Sequence, residues 1–169
     1  MSYGLKKSDQ DCKLLLRNGD QSGRIAAAFT GPNYGRIWDT DVAERLIGAV
    51  EGTGWHVPAA RSSQGSESAG LYASDRDMFA FMVNDENPVE IGDAKPGRGF
   101  FCWNSETGAA SFGLTTFLYN YVCGNHIVWG AEEVRELRIV HKAEAVSRFQ
   151  KEAMPQLGRF VENGASLTP

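Results

Sequence analysis

The sequence predicts an α+β fold in which helices pack on one face of a mainly antiparallel sheet. Two stretches, 40–50 and 142–163, place apolar side chains at the three- and four-residue spacing of amphipathic helices. Between them, short apolar runs alternate with polar turns, which is typical of antiparallel strands joined by hairpins. This order of segments favours helices gathered on one side of a single sheet.

Length and composition indicate one domain over residues 1–169. The chain is 42% hydrophobic and 22% charged, which excludes a coiled coil, a collagen-like repeat and a fully disordered chain. A chain of 169 residues can bury one core without disulfide or metal support. Within this domain we expect a polar loop at about 61–70 and a kinked C-terminal helix at about 142–163.

The N-terminal part predicts two helices around one strand. Ser8 is the predicted start of a short helix that ends at 18–19. This helix would carry Cys12, Leu15 and Leu16 on one face. A strand follows at 24–29. Thr40 is the predicted N-cap of the second helix. Its apolar stripe comprises Val42, Leu46, Ile47 and Val50.

The middle of the chain is predicted to be mostly strands. The segments are 55–59, 71–74, 78–83, 89–91, 100–103, 127–129 and 136–141. The apolar run 112–122 fits a buried strand, with a helix over 115–121 as the alternative.

The C-terminal stripe consists of Val146, Phe149, Ala153, Leu157 and Phe160. Pro155 lies inside it and is expected to kink or split the helix. We expect the residues before the proline to pack on the protein's own sheet. Leu157, Phe160 and Val161 are expected to meet a partner subunit.

Charge and hydropathy exclude some classes of partner. The net charge is −4, so no polybasic surface for nucleic acid or membranes is evident in the sequence. No apolar run reaches the length of a membrane span, and the N-terminus lacks an apolar segment of signal length. The three cysteines are an odd number and the sequence shows no secretion signal, so we expect reduced thiols and a cytoplasmic location.

The densest group of polar residues is the turn that holds Asn104, Ser105 and Glu106. A serine is a nucleophile only beside a base, and the sequence has no GxSxG motif and no His–Asp pair in register with it. The alternative is a structural turn, in which Asn and Ser bond to nearby backbone and Gly108 supplies a positive φ.

Cys123, His126 and His141 are further candidates for chemistry. Cys123 and His126 have the spacing of half a zinc site, and either histidine could serve as the base for a cysteine nucleophile. The alternative is a buried thiol that behaves as a small apolar residue. Because a structural zinc site needs four ligands and these are scattered, we expect no metal and no cofactor.

Aromatic residues concentrate between residues 100 and 129. On alternating strands, half would face the core and half would face solvent or a partner. Exposed rings near arginines form stacking surfaces for single-stranded bases, and the alternative is an aromatic core. The candidate nucleic-acid-binding residues are Arg98, Trp103, Tyr119, Arg135 and Arg138.

Several short motifs resemble the phage/plasmid-like proteins that form a bacterial and phage domain of unknown function. They are Tyr34-Gly-Arg-Ile-Trp-Asp-Thr-Asp-Val-Ala, Gly-Leu-Tyr-Ala-Ser-Asp at 70–75, Gly-Phe-Phe-Cys-Trp-Asn-Ser-Glu-Thr-Gly at 99–108, Tyr-Asn-Tyr-Val-Cys-Gly-Asn-His at 119–126, and the pair Arg138 and His141. The match covers about residues 34–141. It implies a protein carried by a phage or mobile element that acts in a bacterial host cell, and it implies no established chemistry.

Three functions follow as hypotheses. The first is a non-enzymatic, homo-oligomeric module that binds or anneals single-stranded nucleic acid, with phage single-strand annealing proteins as a looser analogy. The acidic net charge counts against it, since phosphate contacts dominate nucleic-acid affinity. The second is a protein–protein assembly or inhibitor module. The third is a small enzyme that uses the Cys/His residues or the Asn-Ser-Glu turn.

Overall fold

Seven strands and three helices make up the part of the chain that the computed structural model describes, residues 11–19, 23–58, 70–84, 86, 88, 96–119 and 132–163. The strands are β1 (Lys13–Gly19), β2 (Gly23–Thr30), β3 (Leu71–Ala73), β4 (Met78–Asn84), β5 (Gly97–Asn104), β6 (Phe112–Tyr119) and β7 (Glu132–Ile139). The helices are α1 (Asp39–Val50), α2 (Ala145–Arg148) and α3 (Met154–Asn163), and a π-helical segment, Phe149–Ala153, joins the last two. The fold is mixed α+β, which confirms the predicted class.

The strands form two antiparallel sheets. β1 and β2 pair with each other in a two-stranded sheet. The other five strands form the main sheet in chain order, β3-β4-β5-β6-β7, and each neighbouring pair is antiparallel. Because each strand pairs with its neighbour in sequence, short turns suffice to connect them where the connections are described.

The helix predicted to begin at Ser8 is wrong for the described part of that segment, because residues 13–19 form β1. Leu15 is buried, whereas Leu14 and Leu16 are 46% and 41% exposed. This two-residue alternation belongs to a strand, and pairing with β2 decides the conformation over the local helical spacing. The strand predicted at 24–29 is confirmed as β2.

Helix α1 lies where the sequence predicts a helix, but it begins at Asp39 with Trp38 as the N-cap residue rather than Thr40. Trp38 makes no side-chain capping bond. Val42 and Leu46 are buried as predicted. Ile47 is 62% exposed, so its predicted place in the apolar stripe is wrong.

The central strand predictions agree with the structure where it is described. The 71–83 hairpin is β3 and β4, the 100–103 segment lies in β5, and residues 112–119 form strand β6 rather than a helix. The 136–141 strand is β7, which begins earlier, at Glu132. The predicted strand at 55–59 is reduced to one bridge between His56 and Val83. The loop at 61–69 and the strands at 89–91 and 127–129 lie outside the described residues.

One face of the main sheet forms the core with the helices. Alternate strand residues point to this face, among them Phe100, Leu114 and Ile139, and all three are fully buried. Helices α1 and α3 cover them. The buried helical residues that complete this core are Val42, Leu46, Ala145, Phe149, Ala153, Leu157, Phe160 and Val161.

The C-terminal helix is interrupted immediately before Pro155, as its sequence predicts, and the interruption is the π-helical turn over residues 149–153. A proline ring collides with the carbonyl four residues earlier, here that of Lys151, and a wider turn relieves this collision. The expectation that Phe160 meets a partner is wrong, since it is 2% exposed and lies 5.7 Å from the Trp55 ring. The π turn keeps α3 on the protein's own sheet.

Candidate functional site

The turn after β5 joins segments that are far apart in sequence. The side-chain amide of Asn104 is fully buried and donates to the Ile37 carbonyl at 2.9 Å and to Asp39 Oδ1 at 2.6 Å. These two bonds hold the start of α1 against the end of β5. Buried amides that satisfy backbone carbonyls act mainly in folding and positioning.

Glu106 fixes three other groups around the same turn. Its Oε2 accepts a bond from the backbone N–H of Asp39 at 3.2 Å, so it caps α1 from outside the helix. Its Oε1 forms an ion pair with Arg17 of β1 at 2.5 Å. The Arg36 guanidinium donates to its backbone carbonyl. This tertiary cap explains why the local N-cap signal of Thr40 placed the helix start wrongly.

Ser105 is fully buried, and its hydroxyl is used within the turn region. Its Oγ donates to the Arg76 carbonyl at 2.6 Å and accepts from the backbone N–H of Ala109 at 3.0 Å. Gly108 has a φ of 93°, as the structural reading of the turn requires. A hydroxyl committed to a carbonyl lacks the base that a nucleophile needs, so the geometry favours the structural reading.

The electrostatics of the turn follow from burial. Burial is the main cause that raises the pKa of Asp39 to about 6; the bond from Asn104 opposes this rise, and the neighbouring Glu106 carboxylate adds to it. Burial also raises the pKa of Tyr34, whose hydroxyl donates to the Ser105 carbonyl at 3.3 Å. Both groups therefore favour their neutral forms more than in water.

His141 lies next to this turn, with Tyr34 between them. The two rings stack with centroids 5.0 Å apart, beside an open cleft lined by 31–34 and 141–144. The His141 Nδ1–H donates to the Gly35 carbonyl at 3.0 Å. Burial lowers the pKa of His141, so the neutral ring predominates at neutral pH.

Within its described ranges, the structure places no other cysteine or histidine candidate beside the turn after β5. Cys123 and His126 lie outside the described ranges. Cys12 is an exposed free thiol and Cys102 a buried one, and burial raises the pKa of Cys102 to about 12. Within the described ranges no group of three metal-ligating side chains occurs.

The face of the main sheet opposite the helices carries a row of aromatic side chains. In register, Tyr72 of β3 pairs with Phe79 of β4, which pairs with Trp103 of β5. Trp103 pairs with Gly113 of β6, which pairs with Arg138 of β7. Cross-strand partners share a face, so these five residues form one line across all five strands, called here the aromatic row.

Glycines let two rings lie flat on this face. A Cβ on Gly113 would collide with the Trp103 ring, and a Cβ on Gly99 would collide with the Phe117 ring. Trp103 stacks on Phe101 at 5.5 Å, and Phe117 stacks on Phe81 at 5.9 Å. Each ring therefore occupies the space above a strand glycine, where any larger residue would displace it.

The rings on this face differ in exposure. Phe117 is buried, whereas Phe79, Phe101 and Trp103 are partly exposed and Tyr72 is 57% exposed. The face is therefore neither a closed second core nor a fully open surface. Tyr72 and Phe79 were missed as candidates, although the alternation over 71–83 indicates which residues share a face with Trp103.

The five predicted nucleic-acid-binding residues do not lie together. Trp103 and Arg138 share the aromatic row, and Arg138 is exposed. Arg98 is 5% exposed and donates to the carbonyls of Phe160 at 2.9 Å and Val161 at 3.1 Å, so its place at a nucleic-acid surface is wrong. Arg135 is exposed but points to the helix side of the sheet. The side chain of Tyr119 is outside the described part.

The fold and this site define a mixed α+β domain whose main sheet has one aromatic face. Comparison with known families assigns this domain to a family. A family described as "Domain of unknown function (DUF932)" matches residues 28–168, and the chain belongs to that family. Comparison with curated proteins gives no match, and comparison with solved structures gives none. No helix in the described segments is long and apolar enough to cross a membrane.

Proposed function

We propose that this protein is a non-enzymatic module that holds single-stranded nucleic acid against the aromatic row. The observation that carries the proposal is the line from exposed Tyr72 through Phe79 and Trp103 to exposed Arg138, on the sheet face that the helices leave uncovered. Stacking of bases on such rings does not depend on sequence, because every base has a π face.

The dimensions of the row suit a short stretch of single strand. Strands lie about 4.8 Å apart, so five strands span about 19 Å from Tyr72 to Arg138. Bases would stack on the rings of Tyr72 and Trp103, and the Arg138 guanidinium would contact a phosphate. Arg138 already donates from Nε to Ser111 Oγ at 2.7 Å, which orients its remaining N–H groups.

The acidic net charge is compatible with this mode of binding. With a net charge of −4, the protein offers little long-range attraction to phosphates. Stacking contributes about 1–3 kcal/mol per base and needs no net positive charge. We therefore expect a modest affinity that depends more on base stacking against the rings than on the salt concentration.

Fluorescence anisotropy with a labelled oligothymidylate tests the stacking role. Trp103→Ala should weaken binding by about tenfold or more, and Trp103→Phe should retain most of it because a ring remains. Trp38→Ala is the matched control, since Trp38 is 42% exposed and lies outside the aromatic row. No binding by the unaltered protein, or equal losses from Trp103→Ala and Trp38→Ala, would overturn the proposal.

A second pair of variants tests the charge at the end of the row. Arg138→Ala should weaken binding, whereas Arg135→Ala should leave it unchanged. Both arginines are exposed on β7, but their side chains point to opposite faces of the sheet. Equal effects from the two substitutions would show that binding does not use this face.

We also propose that the protein belongs to a phage or other mobile element and acts in the cytoplasm of a bacterial host. Support for the first part is the resemblance of the 70–75 and 99–108 motifs to phage/plasmid-like proteins. Support for the second is Cys12, an exposed free thiol that suits a reducing compartment. Self-assembly, a second candidate function, is favoured by the exposed side chains along β7.

A further inference from the structure

Strand β7 lies at the edge of the main sheet. Within the described ranges, β6 pairs with one side of it and no strand pairs with the other. Val134 and Val140 are 54% and 57% exposed, and Glu136 and Arg138 are exposed between them. An open edge with exposed apolar residues is a template for pairing with another strand.

The symmetry of a strand pair limits how two copies of β7 could meet. Two copies of one strand that pair antiparallel are related by a twofold axis perpendicular to the sheet. Rotation about this axis reverses the strand direction but leaves each face of the sheet pointing the same way. Residues that lie opposite each other must therefore come from the same face. Because successive side chains alternate between the two faces, only registers in which one residue lies opposite its own copy satisfy this condition. The axis therefore lies at a residue and not between two neighbouring residues.

We propose that two copies of the protein join edge to edge through antiparallel pairing of their β7 strands, with the twofold axis at Leu137. This register sets Glu136 of each copy opposite Arg138 of the other, so two ion pairs form across the edge. It also sets Val134 opposite Val140 of the second copy, which covers two exposed valines on each side. The partner is therefore a second copy of this chain.

Neighbouring registers lack this complementarity. An axis at Arg135 or Arg138 sets two arginines against each other, and an axis at Glu136 sets two glutamates against each other. Charged residues normally protect an edge strand because like charges repel an incoming copy. Around Leu137 the same charges attract instead, and this selects one register.

The pairing would join the main sheets of the two copies into one continuous sheet. The aromatic faces would lie on the same side, because the axis preserves faces. Arg138, the end of one aromatic row, would lie beside Glu136 of the second copy, in line with its Thr115 and Phe101. The joined face would be about twice as wide as that of one copy.

Charge reversal with rescue tests the proposal by sedimentation equilibrium. The unaltered protein should give about twice its 18.5 kDa chain mass. Glu136→Arg and Arg138→Glu alone should each give the monomer mass, and the double substitution should restore the dimer. Glu44→Arg, on the exposed side of α1, is the matched control and should remain dimeric. Circular dichroism checks that each variant folds.

Three results would overturn the proposal. They are a monomeric unaltered protein at high micromolar concentration, folded single variants that remain dimeric, and a double variant that remains monomeric. Glu136→Arg leaves the bond between Arg138 and Ser111 in place, so its effect is separable from any loss of that bond.

Cysteine crosslinking tests the register itself. Residues on a twofold axis face their own copies with Cα atoms about 4.5–5.5 Å apart, within the range of a disulfide. Leu137→Cys in a Cys12→Ser background should therefore form a covalent dimer on mild oxidation. Arg135→Cys is the control, since its two copies would lie about 13 Å apart. Crosslinking at 135 but not at 137 would refute this register.

Discussion

Single side chains of the turn after β5 decide how the N-terminal segments pack on the main sheet. Asn104 and Glu106 hold the start of α1, and Ser105 holds the β3–β4 turn through the Arg76 carbonyl. Each of these bonds joins residues far apart in the chain. Losing one should therefore affect the stability of the whole domain.

Ser105→Ala should lower the free energy of unfolding by about 1–3 kcal/mol, because it leaves the Arg76 carbonyl and the Ala109 N–H without their bonds to Oγ. Thr107→Ala removes a longer, exposed bond to the same carbonyl and should cost less. Urea unfolding measures both, and a neutral Ser105→Ala would contradict this account.

Gly108→Val should destabilise the protein by about 1–3 kcal/mol, because residues with a side chain rarely adopt positive φ and Gly108 has a φ of 93°. Gly48→Ala is the opposite case. Gly48 lies within α1 with open space around it, so alanine should stabilise the helix by up to about 1 kcal/mol. Thermal unfolding should give shifts of opposite sign, and shifts of the same sign would show that the turn is placed wrongly.

The raised pKa of Asp39 predicts a pH-dependent stability. Folding raises this pKa from 3.8 to about 6, so the folded protein holds the proton more tightly than the unfolded chain. The stabilisation is complete below the lower value and is lost as the pH rises through the higher one.

Asp39→Asn removes this titration and can still accept the bond from Asn104. The stability of the variant relative to the unaltered protein should therefore rise with pH between 3.8 and about 6. Urea unfolding over this pH range provides the measurement. A difference that stays constant over the range would mean that Asp39 titrates normally.

At the scale of elements, β5 holds the end of α3 through one arginine. The Arg98 guanidinium donates to two carbonyls at the C-terminal part of α3 and lies 5.5 Å from the Trp55 ring. Carbonyls in the last turn of a helix lack intrahelical partners, and a cation there interacts favourably with the helix dipole. This contact, with the π turn before Pro155, keeps α3 on the sheet.

Arg98→Ala should destabilise the protein by about 2–3 kcal/mol, because two buried carbonyls lose a charged donor. Arg135→Ala, on an exposed part of β7, should change stability by less than about 0.5 kcal/mol. Guanidinium unfolding compares the two. Equal small effects would mean that Arg98 is not engaged with α3 in solution.

At the scale of the whole molecule, the two faces of the main sheet differ in what packs against them. The helices cover one face and form the core, while the other holds the aromatic row. If bases stack on this row and Arg138 contacts one phosphate, the logarithm of affinity should fall with the logarithm of salt with a slope of about −0.7. Anisotropy titrations at several salt concentrations measure this slope, and a slope several times steeper would indicate a basic surface elsewhere.

The sequence predicted those features that depend on residues close together in the chain. The 71–83 hairpin, the turn with Gly108 and the interruption of the C-terminal helix near Pro155 follow from local alternation, glycine conformation and proline sterics, whereas the π-helical form of that interruption was not predicted. The α+β class follows from the order of these elements. The candidates Trp103 and Arg138 were named from the sequence as an aromatic and an arginine in the strand-rich part of the chain, and the strand register places them on one face with β6 between them.

Only the tertiary structure decided the features that depend on pairing over long distances. The three leucines at 14–16 fit a helix or a strand locally, and pairing with β2 selected the strand. Glu106 moved the start of α1, and Arg98 lies beneath α3 rather than at a binding surface. Local periodicity indicates which face of an element is apolar, but it does not specify which distant segment pairs with that element or covers it. The sequence by itself therefore determined the α+β class, the described central strands and the turns, whereas the fold decided the conformation of β1 and which charged and aromatic side chains remain exposed.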